Sequence, residues 1–145
     1  MLKGIPKIIS PDLLKALCEM GHGDTLVIAD GNFPAESVGT DATVIRYDAV
    51  GVTPLLEAIL TLFPLDTYVE KPVSLMAVVP GDNVKTPIWD EYKAILAKSD
   101  ARGEEMIEQV RRFAFYEKAK QAYLVIATSE SALYANIILQ KGVVL

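Results

Sequence analysis

The segment LCEMGHGDTLVIADGNFP, Leu17–Pro34, decides how the chain is read. It passes from the end of an amphipathic stretch through Gly21-His22-Gly23 into a short apolar run, Leu26-Val27-Ile28-Ala29, which stops at Asp30 and a glycine turn. A short continuous run of aliphatic residues reads as a strand covered on both faces. His22 is the only histidine in the chain, and imidazole is the side chain that changes charge near neutral pH. The strand therefore carries a titratable ring at its entrance and a carboxylate at its exit, both on loops, where functional residues concentrate. Each has a plainer reading. His22 also suits the partially negative C-terminal end of the preceding helix, and Asp30-Gly31-Asn32 also suits an ordinary turn. The pairing of His22 with Asp30 in one strand–loop unit, with Asp24 beside it, is what favours a functional reading.

Working outward, helices are expected where a hydroxyl residue precedes a proline, at Ser10-Pro11, Thr53-Pro54 and Thr86-Pro87. The hydroxyl caps the helix, and proline at the first helical position loses no hydrogen bond. The spacing predicts helices over Pro11–Met20, ended by Gly21 in a left-handed conformation, over Pro54–Phe63, and onward from Pro87. A fourth is expected across Glu104–Gln121, broken near Arg111, with Met106, Val110, Phe113 and Ala114 on its apolar side. Strands are expected at Thr25–Ala29, Thr43–Arg46, Ser74–Val79, Tyr123–Ala127 and Ala135–Leu139, although 132–139 also fits a helix. Alternating strands and helices without a linker or repeat imply one domain over 1–145. Its expected architecture is a layered α/β/α fold with a mostly buried mixed sheet.

Composition narrows the function. At 145 residues with 51% apolar side chains, the chain can bury a core without staples. Lysine and arginine total 14 against 19 acids, a net charge of −5 with no basic run, which argues against nucleic acid or an anionic membrane as partner. The positive mean hydropathy points to surface covered by further subunits. No secretory signal and no membrane-length apolar run is read, so the expected location is cytoplasmic. The single cysteine, Cys18, excludes a disulfide framework or a cysteine-rich zinc site, and its neighbours Leu14, Leu17 and Met20 place it in the core.

Two further loops carry chemistry-bearing residues. Pro64-Leu65-Asp66-Thr67-Tyr68 follows a helix and also reads as a turn with a surface aspartate. Arg111 to Glu117, alternating basic and aromatic residues, looks like a base-stacking surface, but the acidic total favours core packing. Tyr134 and Asn136, two apart, fall on one side of a strand. There is no G-x-G-x-x-G, Walker loop or G-x-S-x-G, and one histidine supports no multi-histidine metal centre. One imidazole, carboxylates, tyrosines and an arginine suit proton transfer on a small polar molecule, with no cofactor and no metal.

The stretches MLKGIPKIISPDLLKALCEMGHGD, DGNFP, RFAFYEKAK and YANIILQKGV, in this order and spacing, resemble the L-fucose mutarotase branch of the ribose pyranase and fucose mutarotase superfamily. The resemblance implies a sugar mutarotase that interconverts anomers, with His22 as the acid–base residue. It implies substrate contacts from Asp30, Asp66, Arg112, Tyr116, Tyr134 and Asn136, with Tyr116 and Asp66 as contenders for the second proton carrier. It also implies a ring, commonly a decamer, with sites formed between neighbouring subunits. Gly31 stands where the family often has alanine, and Ala135 where it often has glycine. Two alternatives stay open: pyranose–furanose exchange of the ribose kind, and a sugar-binding ring that does no catalysis.

Overall fold

The computed structural model describes residues 1–145. Its elements run α1 (Pro11–Glu19), β1 (Thr25–Ala29), α2 (Ala35–Val38), β2 (Thr43–Tyr47), α3 (Val52–Leu60), β3 (Val73–Met76), α4 (Ile88–Ser99), a 3-10 turn (Gly103–Met106), β4 (Ile107–Val110), α5 (Arg112–Lys120), β5 (Leu124–Thr128) and β6 (Ile137–Gln140). The strands form one six-stranded sheet in the order β2-β5-β1-β6-β3-β4. β6 is antiparallel to both of its neighbours, β1 and β3, and every other pairing is parallel.

Alternation along β1 shows why the sheet is covered twice. Leu26 and Ile28 join one core with Leu13, Leu56, Tyr92 and Leu96 of α1, α3 and α4. Val27 and Ala29 join a second, smaller core with Val38 of α2 and Phe115 and Ala119 of α5. The result is three layers, as expected. A fully buried leucine or isoleucine contributes ~1.5–3 kcal/mol, and a one-residue slip would send each to the wrong core, so the register of β1 is strongly specified.

Several local expectations are corrected. Ser10 does cap α1, accepting the Leu13 N–H at 3.2 Å. Thr53 and Thr86 do not cap: α3 starts at Val52 behind Gly51, and α4 starts behind Pro87. Met20, not Gly21, closes α1 in extended backbone, and it is Gly23 that takes positive φ, at 87°. Cys18 is exposed, because the inward face of α1 is Leu13, Ala16 and Leu17. The fourth expected helix begins only at Arg112, and the residues before it form the 3-10 turn and edge strand β4. The two edge strands, β2 and β4, are open on one side, whereas the inner strands are buried on both faces.

The topology creates a crevice. From β1 the chain moves through α2 to β2 on one flank, and from β3 through α4 to β4 on the other. The carboxyl ends of β1 and β3 thus diverge at a switch point of the sheet, where α/β folds place ligands. Here β6 fills the gap between them, entering from that edge with Asn136 just before its first residue.

Candidate active site

At the carboxyl edge, Asp30 and Asn136 lock together although each is more than nine-tenths buried. Asn136 Oδ1 accepts the Asp30 backbone N–H at 2.7 Å, and its Nδ2 donates to Asp30 Oδ2 at 3.0 Å. The Asn32 N–H donates to the other carboxylate oxygen at 3.0 Å. Burial pushes the Asp30 carboxyl above the usual range, against the opposing pull of the Asn32 N–H and the Asn136 amide.

Around this clamp lies a cleft of about 240 Å³, lined in part by Arg112, Tyr116, Tyr134, Asp82, Met76 and Leu133. Arg112, the first residue of α5, lies 5.7 Å from the Tyr116 ring centroid, and Tyr116 in turn stacks on Phe33 at 5.6 Å. Tyr134 occupies the left-handed region with φ 57°, a strain of ~1–3 kcal/mol for a residue with a side chain. Neighbours hold it there: Trp89 Nε1 donates to the Tyr134 carbonyl at 2.8 Å and the Tyr92 hydroxyl donates to the Ala135 carbonyl at 2.6 Å. The Tyr134 hydroxyl reaches into the cleft and donates to Asp82 at 2.7 Å. One cation, two carboxylates, two phenols and an apolar wall fit a small uncharged polyol better than a phosphate.

At the opposite edge a second cluster forms around His22. Gly21 donates its N–H to Asp24 Oδ2 at 2.7 Å and Gly23 donates to the Lys141 carbonyl at 2.9 Å, so the turn is fixed at both ends. His22 Nε2 lies 3.0 Å from Asp66 Oδ1. The His22 side chain is 44% exposed and that of Asp66 only 2%. Asp66 also accepts from the Tyr68 N–H at 2.9 Å and from Gln140 Nε2 at 3.0 Å. Burial alone would raise this carboxyl, but the Tyr68 N–H, His22 and Gln140 together outweigh burial and hold it below the usual range. The approach is tight, since a Cβ on Gly142 would stand 2.7 Å from the Leu65 carbonyl oxygen. The Tyr68 ring leans over His22 with centroids 5.1 Å apart and is itself exposed.

The two clusters do not meet within one chain. The five residues of β1 lie between His22 and Asp30, and at ~3.3 Å per residue they keep the two edges well over 10 Å apart. Asp30 therefore does not orient His22, and Asp66 does. Arg112, Tyr116, Tyr134 and Asn136 gather with Asp30, while Asp66 gathers with His22. Tyr134 and Asn136 do share a cleft, but Tyr134 reaches it from a strained loop before β6 rather than from the strand. Phe113 is exposed and Phe115 fully buried, so the Arg111–Glu117 stretch is only half core. No sequence pattern marks Asp82, Gln140 or Arg102. Asp82 sits in a Pro80-Gly81-Asp82-Asn83 turn, and the other two acquire meaning only through residues distant in the chain.

The RbsD / FucU transport protein family matches residues 3–144. The chain belongs to this family. A relative from Mus musculus named fucose mutarotase is 52% identical to this RbsD/FucU chain, over 97% of it and 94% of the relative. The crystal structure of FucU from Bifidobacterium longum superposes with a TM-score of 0.97 at 66% identity, covering 99% of this chain and 100% of that one. The fucose mutarotase from Streptococcus pneumoniae, solved in complex with L-fucose, superposes with a TM-score of 0.91 at 49% identity over 99% and 100% of the two chains. This RbsD/FucU protein thus shares the mixed α/β fold of the fucose mutarotase structures from end to end.

Proposed function

We propose that this protein is a fucose mutarotase, an isomerase that interconverts the α and β anomers of L-fucose or a closely related monosaccharide without a cofactor. The observation that carries the reading is a solvent-facing imidazole anchored by a buried carboxylate, in a fold matching the L-fucose-bound structure throughout.

Ring opening needs a base and an acid. The base takes the proton of the anomeric hydroxyl, that O–H pair becomes the second bond of the C1 carbonyl, and the C1–O5 bond breaks. Its electrons go to O5, which takes a proton from the acid. Rotation about C1–C2 and reversal of the same transfers close the ring with the other configuration. An imidazole can serve either half near neutrality. His22 is the principal proton carrier in this reading. Asp66 already accepts three hydrogen bonds, which leaves Tyr116 as the second carrier. Asp30, Arg112, Tyr134 and Asn136 hold the sugar hydroxyls, and the Met76–Leu133 side of the cleft faces its apolar edge.

Because His22 and the cleft occupy opposite edges, a complete site requires the His22 edge of one copy to face the cleft of another. We therefore read the protein as a homo-oligomer, a decameric ring with inter-subunit sites. The exposed Tyr68, Phe113 and Leu133 supply apolar surface for such contacts. The reading also takes residues 1–145 as one mutarotase domain, since one sheet spans Thr25 to Gln140. It places the protein in the cytoplasm, in keeping with a lone exposed thiol. No helix is long and apolar enough to cross a membrane.

The test is NMR magnetisation transfer between the anomeric protons of L-fucose, with D-ribose and D-galactose in parallel and protein far below sugar concentration. Exchange accelerated for L-fucose above both is expected. Acceleration for D-ribose alone would move the protein to pyranose–furanose chemistry, and binding without acceleration would make it a carbohydrate-binding protein.

A further inference from the structure

The His22–Asp66 contact leaves one ring nitrogen free and raises the question of what keeps it so. Nε2 faces Asp66 Oδ1, while Nδ1 has no partner in the chain and belongs to a ring that is 44% exposed. An ionised carboxylate only accepts, so the nitrogen facing it must carry the hydrogen. The neutral ring is then the Nε2–H tautomer with its lone pair on Nδ1.

The carboxylate is itself held from two other elements. Gln140, the last residue of β6, donates its side-chain amide to Asp66 Oδ2 at 3.0 Å while its carbonyl accepts the Asp66 N–H at 3.1 Å. Arg102, in the turn after α4, donates from Nη1 to the Asp66 carbonyl at 3.0 Å. Its guanidinium is in turn gripped by Asp100 through Nε at 3.1 Å and Nη2 at 2.8 Å. Asp66 is thus fixed at its backbone N–H, its carbonyl and both side-chain oxygens. A carboxylate this constrained cannot swing away from the ring and leave Nε2 without its acceptor.

We propose that Gln140 and Arg102 are positioning residues for proton transfer: they fix Asp66 so that it holds His22 as the Nε2–H tautomer, and Nδ1 is the atom that exchanges a proton with the sugar. In the opening step neutral His22 takes the anomeric hydroxyl proton on Nδ1, becoming an imidazolium whose new positive charge faces the Asp66 carboxylate. The C1–O5 electron pair leaves to O5, which is protonated by the second carrier. Closure returns the Nδ1 proton to the oxygen on C1. Neither Gln140 nor Arg102 touches the substrate in this scheme. The kinetic half of the inference rests on the mutarotase reading, and the tautomer half does not.

Because His22 is the only histidine, long-range proton–nitrogen correlation NMR of the 15N-labelled protein reports this one ring without assignment. The expected wild-type spectrum has the hydrogen on Nε2 and a bare Nδ1. In Gln140→Leu the Nε2–H fraction should fall toward that of a free histidine side chain, because a carboxylate released at Oδ2 spends part of its time turned away from the ring. L-Fucose kcat should fall about 10-fold with KM unchanged, a fraction of the ~10²–10⁴ that an acid–base group contributes. Gln140→Glu, which keeps the length but swaps donor for acceptor, should shift the tautomers the same way and carries the test if the leucine variant does not fold. Arg102→Met should lower kcat by about 3-fold, again without a change in KM. A wild-type ring carrying its hydrogen on Nδ1 would overturn the inference. So would folded Gln140 variants with wild-type tautomer and kcat, or ones whose loss lies in KM. If the wild-type protein fails to exchange L-fucose anomers, the mutarotase reading falls, while the ring spectra still decide the tautomer.

Discussion

The two edges of the sheet hold their polar residues in opposite ways. At the carboxyl edge Asp30 is buried and its ionisation is made harder, so burial wins over the Asn32 and Asn136 donors. At the amino edge Asp66 is even less exposed, yet its ionisation is made easier, because the Tyr68 N–H, the Gln140 amide and the His22 ring together outweigh burial. The same side chain is turned into a guarded carboxyl in one place and a committed anion in the other. Exposure alone does not decide the outcome, and neither does donor number: Asn32, Asn136, Phe33 and Ala135 all favour the Asp30 anion and desolvation still prevails, whereas Asp66 also faces a ring that can carry charge.

That contrast can be broken most sharply at His22. His22→Ala removes the only imidazole and is expected to slow L-fucose exchange by ~10²–10⁴-fold while leaving the fold intact. Magnetisation transfer and circular dichroism on the same sample check both. Near-wild-type exchange would detach chemistry from the amino edge altogether.

The claim that the two edges serve one site from different copies is sharpened by mixing. His22→Ala and Arg112→Ala each damage one edge, and each should be nearly inactive alone. Co-expressed with different tags and isolated as mixed assemblies, they should regain activity at roughly a quarter of the contacts, those where an intact amino edge meets an intact cleft. Mixed assemblies no more active than their parents would confine the site to one chain.

A smaller effect is expected from opening the clamp. Asn136→Ala strips partners from the buried Asp30 N–H and Oδ2. Each unpaired group costs about 1–3 kcal/mol, and the midpoint of thermal unfolding should fall by roughly 5–15 °C. A shift within a degree of wild type would show that the clamp contributes nothing to stability.

The smallest effect is in pH. Asp66 has a lowered folded-state pKa, so its contribution is present above the ordinary carboxylate range and is lost as pH falls through the lowered value. Asp30 has a raised one, so stability declines as pH climbs from the ordinary carboxylate range through the raised value. Relative to wild type, Asp66→Asn should therefore lose the acid-side part of the stability profile, and Asp30→Asn the decline just above it. Urea midpoints between pH 3 and 7 report the two slopes, and slopes of the same sign would contradict the contrast.

How much of this the residues announce in advance differs by element. β1 is legible to the residue, because Leu26–Ala29 is apolar throughout and bounded by turn formers. β4 is not: Met106 and Val110 are four apart, which is helical spacing, and sheet pairing with β3 overrides it at an edge where only one side is covered. Cys18 misleads for the same reason, since a helix of two turns has too few apolar positions to fix which face turns inward. In the site, His22 and Asp30 draw notice because they flank one strand, and that strand is what separates them. The partner that matters to His22 lies 44 residues away in what reads as a plain turn. Residue chemistry nominates the groups, but only the sheet order says which of them share an edge.

β6 carries Asn136 immediately before it and Gln140 at its end, and runs beside β1, whose flanks carry Asp30 and His22. The two strands act as a pair of spacers of fixed length, each with a member of one cluster at one end and a member of the other cluster at the opposite end. Length changes in the loop between β3 and α4 alter only what borders the cleft. An insertion or deletion inside β1 or β6 would move both clusters at once and shift the two edges relative to any neighbouring copy. Descendants of this sequence should therefore tolerate length changes in that loop away from Asp82 and keep the residue count of these two strands unchanged.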